Sequence, residues 1–444
     1  MANQPSKSGA PTADGITVSI WDHSRPPDAD GRRWSLVGFI SARGPTSGNF
    51  VYFRTYQGPP LDPINLDYRK AEPGTVFRVD DGKSGAIHGV FRDMMPGGFG
   101  ISVIESQFPE FRRMSDIERI VWFGRRTQSG LLFQISGNRV TPERYVAGLQ
   151  HLEEVRKRAV QHQITQMERI LDKGNFYGVT SLGGARPKAA VEWNQSYWVA
   201  KFNLPNDPYT SMARVEHACL RLAAECGIDV PHSVVLTLPE SGEDVLLVER
   251  YDRSAAGRWH RISFRSLTGW VTGTADFQDI TKTLRAIDPD LMQGEGGDEL
   301  LRRMVFQGIA AIADNHLGNF EMKLHENGLW GLSPAYDLVP FAGNPEFATR
   351  LCGFANPRAA LSGDLPGAAA RVFGRTELET RAIIRDTYAS VVQSFSRIVR
   401  EAVLSDADVQ RLEKVIPLRD LASAVEALQA SSEVRSRPDA SIGG

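Results

Sequence analysis

The stretch AIADNHLGNFEM, residues 311 to 322, ends an apolar helical stripe with Asp314, His316 and Asn319. Such side chains can bind a metal, abstract a proton or hydrogen-bond, and burying them without partners is costly. Either they satisfy one another in a structural turn or something binds among them. Further on, GLWGLSPAYDLVP (328–340) carries Asp337, a carboxylate between the core-like Tyr336 and Leu338.

Weaker signals lie upstream. In SLGGARPKAAVEW (181–193), Gly183 and Gly184 precede a strand-like run. Glycines let backbone N–H groups approach a phosphate, and Lys188 adds positive charge, although an ordinary turn is the commoner reason for such a pair. Lys201 shares a strand face with Tyr197 and Val199, a place where a lysine is usually solvated or snorkelling. Glu216 follows on the helical run ARVEHACLRLAAE, on a side that lets it pair with Lys201. VLLVERYDR (245–253) is an apolar strand ending abruptly in charge. It is either a core strand leaving its sheet or a hinge whose backbone can meet an adenine ring.

The order of these signals favours one chemistry. Phosphoryl transfer needs backbone N–H groups over the phosphates, a lysine on the non-transferred phosphates and a carboxylate near the acceptor hydroxyl. It also needs Asn and Asp oxygens for Mg²⁺, a hard cation. The chain supplies, in that order, a Gly-rich turn, Lys201, Glu216, a hinge, Asp314 with Asn319, and Asp337. Asp314 and Asn319 are therefore read as a catalytic loop.

The elements that must position these residues follow from periodicity. Alternating runs at Ile16–Ile20, 34–42, 49–54 and 75–80, separated by Gly/Pro-rich turns, predict a small antiparallel β domain. GRRTQSGLLFQI (124–135) reads as a loop entering a strand. Thr141-Pro142 reads as a helix start, with apolar residues from Val146 to Leu171 at helical spacing. From Asn175 to about Asp252 strand patterns return around one helix, and an Asn-Gln turn after Trp193 predicts a hairpin. Helical periodicity dominates from there to about residue 430. The expected divisions are a disordered tail over 1–14, a β-rich domain over 15–140 and a connecting helix over 141–174. A nucleotide-binding lobe over 175–252, a helical catalytic lobe over 253–431 and a second tail over 432–444 follow.

Composition narrows the class. With 51 Lys and Arg against 53 Asp and Glu, the 444-residue chain has no basic block that would predict nucleic-acid binding by charge. No apolar run approaches the roughly 18 residues of a membrane helix, and the first residues lack the apolar core of a signal peptide. Cys219, Cys226 and Cys352 show no metal-ligand spacing and are expected to be free thiols in a reducing cytoplasm.

From about residue 15 to 400 the chain resembles the HipA family, the serine/threonine kinase toxins of bacterial toxin–antitoxin systems. SLGGARPK resembles that family's Gly-rich loop, VERYDR its hinge, and DNHLGN with YDL its catalytic and metal elements; FRDMMPGGFG (91–100) is a looser match to its N-terminal coupling domain. The resemblance implies an α+β HipA-like kinase fold with an N-terminal antiparallel β-rich domain, a sheet-containing nucleotide lobe and a large helical C-terminal lobe. It implies ATP and Mg²⁺ as cofactors. Asp314 would be the catalytic base or orient the acceptor, and His316 would touch a phosphate or brace the loop. Asn319 and Asp337 would hold Mg²⁺. Gly183, Gly184, Ala185, Lys188 and Lys201 would contact ATP, with Glu216 as the structural ion-pair partner of Lys201. Glu249 and Tyr251 would flank the adenine-contacting backbone. Ser181 would be a regulatory autophosphorylation site, with Thr180 as the competing acceptor.

The implied substrate is a protein, an aminoacyl-tRNA synthetase in the family, and the implied partner is a HipB-type antitoxin that carries the DNA-binding function. No direct DNA binding and no membrane association are expected, and the setting is cytoplasmic. One departure stands out: Gly318 occupies the position where the family often has lysine, which leaves Lys188 or Arg186 as replacements for the lost charge. The rival readings are a small-molecule kinase and a catalytically silent nucleotide-binding regulator, the latter made plausible by Gly318. Acidic residues lining the acceptor cleft would favour the first, and absence of ATP turnover the second.

Overall fold

A computed structural model describes residues 16–22, 35–42, 46–80, 87–124, 129–135, 147–168, 186–254, 257–269 and 274–436. In the N-terminal part, β1 (Thr17–Asp22), β2 (Ser35–Ala42), β3 (Ser47–Tyr52), β4 (Phe77–Asp80) and β5 (Leu131–Ile135) form an antiparallel sheet of order β4-β3-β2-β1-β5. The first four are the strands that the alternation predicts, and β5 is the strand expected at the end of 124–135. Val18, Ile20, Ile40 and Phe50 are buried in its core. Helices α1 (Gly89–Arg92), α2 (Gly98–Gln107) and α3 (Asp116–Phe123) complete this part, and the Met-Pro-Gly segment joins the first two.

The second sheet has order β6-β7-β8-β10-β9, from β6 (Ala147–Gly148), β7 (Lys188–Trp193), β8 (Ser196–Phe202), β9 (Ser233–Thr237) and β10 (Asp244–Glu249). The expected hairpin joins β7 and β8, with Asn194 and Gln195 at φ 49° and 62°. Positive φ at both central residues makes the tight turn whose twist matches its strands. This turn pins the register, and register decides which side chains share a face. Ala189, Val191, Trp198, Ala200 and Phe202 bury one face against α4 (Leu152–Glu168) and α2. Lys188, Val199, Lys201 and Val248 turn to the other face. The helical lobe's first partner, α5 (Met212–Glu225), packs beside this second face.

Two expectations need correction. The segment read as a helix from Thr141 contains β6, which pairs in parallel with β7, before helix begins at Leu152; the Thr141-Pro142 start lies outside the described residues. Backbone pairing at the sheet edge overrides the apolar spacing there. At the other end, α-helix runs over Leu418–Ser436, so the first residues of the expected tail are helical.

The C-terminal lobe contains α6 (Phe264–Leu267), α7 (Phe277–Ile287), α8 (Gly294–Ile309) and a long helix over Glu377–Glu401. It also holds a three-stranded antiparallel sheet of Arg261–Ser263, Glu321–Leu324 and Trp330–Leu332, which helical periodicity did not announce. The three cysteines are free, as expected. Among the described residues no helix is long and apolar enough to cross a membrane.

The N-terminal part and the C-terminal lobe share one continuous apolar core. Polar bonds fix their relation. The Asp93 carboxylate accepts from the Ser263 N–H (2.8 Å) and hydroxyl (3.0 Å). Buried His260 donates from Nε2 to the Leu61 carbonyl at 2.8 Å, since a carbonyl can only accept, and its Nδ1 faces the Ser129 hydroxyl at 3.5 Å. Burial pushes the His260 pKa down to about 4. In the unfolded chain a histidine takes its proton near pH 6.5. Between those values the unfolded state binds more protons, so stability falls as pH falls through the window. His260 is expected to contribute about 2 kcal/mol of the stability lost between pH 7 and pH 5. His217, also pushed down to about 4 by burial, acts in the same sense. Comparing urea midpoints of wild type and His260→Gln across this range isolates the His260 part; parallel pH profiles would refute it.

Candidate active site

Cross-strand pairing sets Lys188 of β7 directly opposite Lys201 of β8. Like charges so placed repel, more so with little water between them. Two carboxylates meet this repulsion from different directions. Glu216, in the second turn of α5, accepts from Lys201 Nζ at 2.5 Å, as the sequence suggests. Asp337, from the C-terminal lobe, accepts a second hydrogen bond from the same ammonium. Burial disfavours the Lys201 charge, yet Asp337 and Glu216 outweigh it and hold its pKa above the ordinary lysine value. Asp337 is the counterpart: burial would raise its pKa, but Lys201 and Lys188 hold it well below the usual carboxylate range. Lys188 is itself buried, and desolvation pushes its pKa down.

Asp337 sits at φ 55°, a left-handed conformation that aspartate tolerates better than most residues. The preceding Tyr336 stacks on Tyr251, ring centroids 6.1 Å apart, and donates to the Gly318 carbonyl at 3.2 Å. Asp337 is thereby tied to the loop that follows α8. That loop begins at Ala311, φ 49°. Asn319 turns its amide back to donate to the Asp314 carbonyl at 2.7 Å, and its N–H donates to the His316 carbonyl at 2.8 Å.

The sequence reading missed Asn315. Buried, it donates from Nδ2 to Gln307 Oε1 (3.1 Å) and the Thr349 carbonyl (2.8 Å), while its Oδ1 accepts from the Thr349 N–H at 2.8 Å. It anchors the loop to α8 and to a distant strand. The only signal was its place between Asp314 and His316, which says nothing about Thr349.

A cavity of about 790 Å³ brings together Lys188, Lys201, Glu249, Tyr251, His316, Asn319 and Asp337. Residues of the N-terminal part, among them His88, Gly97 and Gly98, close its far side. Asp314 does not line this cavity. Its side chain is 65% exposed, with His316 Nε2 3.8 Å from its carboxylate. The buried His316 Nδ1 has no hydrogen-bond partner among the described residues. Burial, opposed by Asp314 and aided by Arg265, lowers the His316 pKa.

At the hinge, the Glu249 and Arg250 N–H groups are committed to the His232 and Tyr197 carbonyls. The Tyr251 hydroxyl donates to Glu321, which also accepts from Arg261, so a buried charged network underlies the hinge. Arg186, considered a replacement for the lysine missing at Gly318, is instead paired with Asp207 at 2.6 Å. Thr180, Ser181, Gly183, Gly184 and Ala185 lie outside the described residues.

Comparison with known proteins bears on this arrangement. Residues 180–395 match the family of HipA-like C-terminal domains. This segment is a HipA-like C-terminal domain. The matched segment holds Lys188, Lys201, Glu216, Asp314, Asn319 and Asp337, whereas the N-terminal wall of the cavity lies outside it. The protein named "Putative kinase Y4dM" of Sinorhizobium fredii is 28% identical over 219 residues, which are 46% of this chain and 52% of that protein. The chain thus spans about half the length of this curated relative. The HipA of Shewanella oneidensis MR-1, solved with HipB and its operator DNA, superposes with a TM-score of 0.63 at 16% identity, over 95% of this chain and 100% of that one. This likeness shows the HipA fold. The proinflammatory kinase CtkA of Helicobacter pylori reaches a TM-score of 0.44 at 14% identity, covering 58% of this chain and 95% of that one, too low to carry an argument.

The two facing lysines differ in what their removal does. Lys201→Met leaves Glu216 and Asp337 without their buried counter-charge and is expected to cost about 3 kcal/mol. Lys188→Met removes a desolvated like charge and is expected to leave the ligand-free protein at least as stable as wild type. Urea denaturation of both variants without nucleotide checks this, and equal losses would overturn the assignment of Lys201 as the bridging cation.

Proposed function

We propose that this chain is a kinase of the HipA family, an ATP- and Mg²⁺-dependent protein serine/threonine kinase. One observation carries the reading: Lys201 joins Glu216 of the nucleotide-lobe helix to Asp337 of the catalytic lobe, on the wall of a cavity that also holds Asn319. Phosphoryl transfer is chiefly positioning and charge stabilisation, and a lysine so held is placed to meet phosphates.

The donor set suits Mg²⁺. Among the described residues no cluster of three or more His, Cys, Asp or Glu forms a full metal cage. Mg²⁺ asks for less, one or two protein oxygens alongside substrate phosphates and water. Asp337 offers a carboxylate that stays ionised, and Asn319, with its amide nitrogen committed to Asp314, offers its carbonyl oxygen. When bound, Mg²⁺ supplies neutralisation of phosphate charge. The exposure of Asp314 favours a protein acceptor, because a serine or threonine on a folded surface reaches a rim carboxylate more readily than one deep in a cleft. Asp314 then orients that hydroxyl and receives its proton.

The proposal extends to a HipB-type antitoxin as partner and to action in the cytoplasm. An aminoacyl-tRNA synthetase is the target that family resemblance implies. Ser181, two residues before Gly183 in the sequence, is the proposed regulatory phosphosite, since a phosphate adds about −1.5 to −2 charges to the segment that family resemblance assigns to the ATP phosphates.

Asp314→Asn keeps shape while losing the carboxylate charge, and is expected to lower labelled transfer from ATP to host-lysate proteins by at least about 100-fold with an unchanged melting temperature. A folded variant that transfers at the wild-type rate would remove Asp314 from its role. In the same wild-type reactions, peptide mapping is expected to find phosphate on Ser181, and an active preparation unmodified there would count against regulation at that site. Asp337→Ala is expected to weaken ATP binding about tenfold or more with Mg²⁺ and much less with EDTA. Equal losses under both conditions would sink the metal role.

A further inference from the structure

The geometry points to Arg265 as the cation that grips the transferred phosphoryl group, in the space that Gly318 leaves open beside the catalytic loop. This rests on the kinase reading above and adds a residue that neither motif nor spacing indicates.

Gly318 lies between His316 and Asn319. A Cβ built there would stand 3.0 Å from Arg265 Nη2, 3.1 Å from its Cζ and 3.1 Å from His316 Cε1. The guanidinium therefore occupies the region into which any side chain at position 318 would grow. Arg265 also borders the same cavity as Lys188, Lys201, Asn319 and Asp337. Arg186, the other cation weighed for this place, is paired with Asp207. The neighbouring His316 carries a buried Nδ1 without a partner among the described residues, a second sign that a polar ligand completes this corner. A planar guanidinium matches phosphate oxygens with paired donors, which suits it to this task better than a point charge.

Arg265 is also held firmly. Its helix α6 is a short turn gripped at both ends by the N-terminal part. Asp93 accepts from Ser263 at the start, and Asn65 Nδ2 donates to the Ser266 and Leu267 carbonyls at 3.4 and 3.3 Å at the end. Gly89 of α1 packs so closely on Ser266 that a Cβ there would fall 2.8 Å from its hydroxyl. The N-terminal part thus sets where the cation stands. In the transfer step the bond from the γ-phosphorus to the bridging oxygen breaks and its electron pair leaves with ADP. The acceptor oxygen bonds to phosphorus and its proton passes to Asp314. Arg265 exchanges neither atoms nor electrons; it holds the phosphoryl oxygens throughout.

The test compares ATP and ADP affinity by calorimetry, together with ATP turnover, in full-length wild type, Arg265→Ala, Gly318→Lys and the double variant. A hydrogen bond to a charged group is worth roughly tenfold or more in affinity, so Arg265→Ala is expected to lose about tenfold for ATP and less than about twofold for ADP. Its turnover should fall about 100-fold. Gly318→Lys alone crowds the guanidinium and should gain nothing, whereas the double variant restores a cation and should recover most of the ATP preference. A ratio of ATP to ADP affinity that is unchanged in Arg265→Ala, or not recovered in the double variant, overturns the proposal. Should Arg265→Ala melt below wild type, Arg265→Gln, which keeps the side-chain bulk, carries the same comparison. Wild-type protein that binds neither nucleotide overturns the kinase reading and this inference together, while wild type that binds and transfers with an unaltered ratio in Arg265→Ala overturns this inference alone.

Discussion

Two ammonium groups facing each other across adjacent strands are the constraint on which this site depends. The hairpin at Asn194-Gln195 sets the register of β7 and β8, and that register leaves Lys188 and Lys201 opposite one another. Such a pair is tolerable in a partly dry cleft only if negative charge is brought to it. One carboxylate, Glu216, comes from the helix packed on the same sheet. The other, Asp337, lies 136 residues from Lys201 in the chain and belongs to another lobe. Lys201 thereby acts as a joint between lobes as well as part of the cavity wall. Lys188 stays desolvated beside these groups and adds to the positive charge that keeps Asp337 ionised.

A second joint runs through the N-terminal part. Asp93, Asn65 and Leu61 all bond to the short segment from His260 to Leu267. The same segment begins the small sheet that carries Glu321 and presents Arg265 to the cavity. A disturbance at the N-terminal surface is therefore only a few hydrogen bonds from the loop that carries His316 and Asn319. This gives the N-terminal part a physical means of influencing the proposed chemistry without supplying a reacting group.

The loop shows how polar residues in one short motif divide their labour. Asn315 is spent wholly inside, closing on Gln307 and Thr349, whereas Asp314 points to solvent and Asn319 and His316 border the cavity. Burying one fully satisfied amide holds the remaining groups at the surface in one arrangement. Gly318 adds no side chain, and its neighbour Arg265 fills the space.

Local physics made much of this legible from the residues alone. Alternation marked the first four strands of the N-terminal sheet, since a half-buried strand has a period of two. The Asn-Gln turn marked its hairpin, since few residues accept positive φ. Lys201 and Glu216 were paired correctly because a strand face and the helix that follows it constrain each other. The order of Gly-rich turn, lysine, glutamate, hinge and acidic motifs pointed to phosphoryl transfer. Other features had no local signature. β6 exists because β7 offers an edge, Arg186 turns to Asp207 rather than to the loop, and Asn315 meets Thr349 only after the chain has folded back. Arg265 reaches Gly318 across 53 positions of sequence. Periodicity and turn propensity act over a few residues and can be read along a line. Which charge neutralises which, and which side chain fills another's empty space, is settled only where distant segments are packed against each other, and the tertiary structure alone decides it.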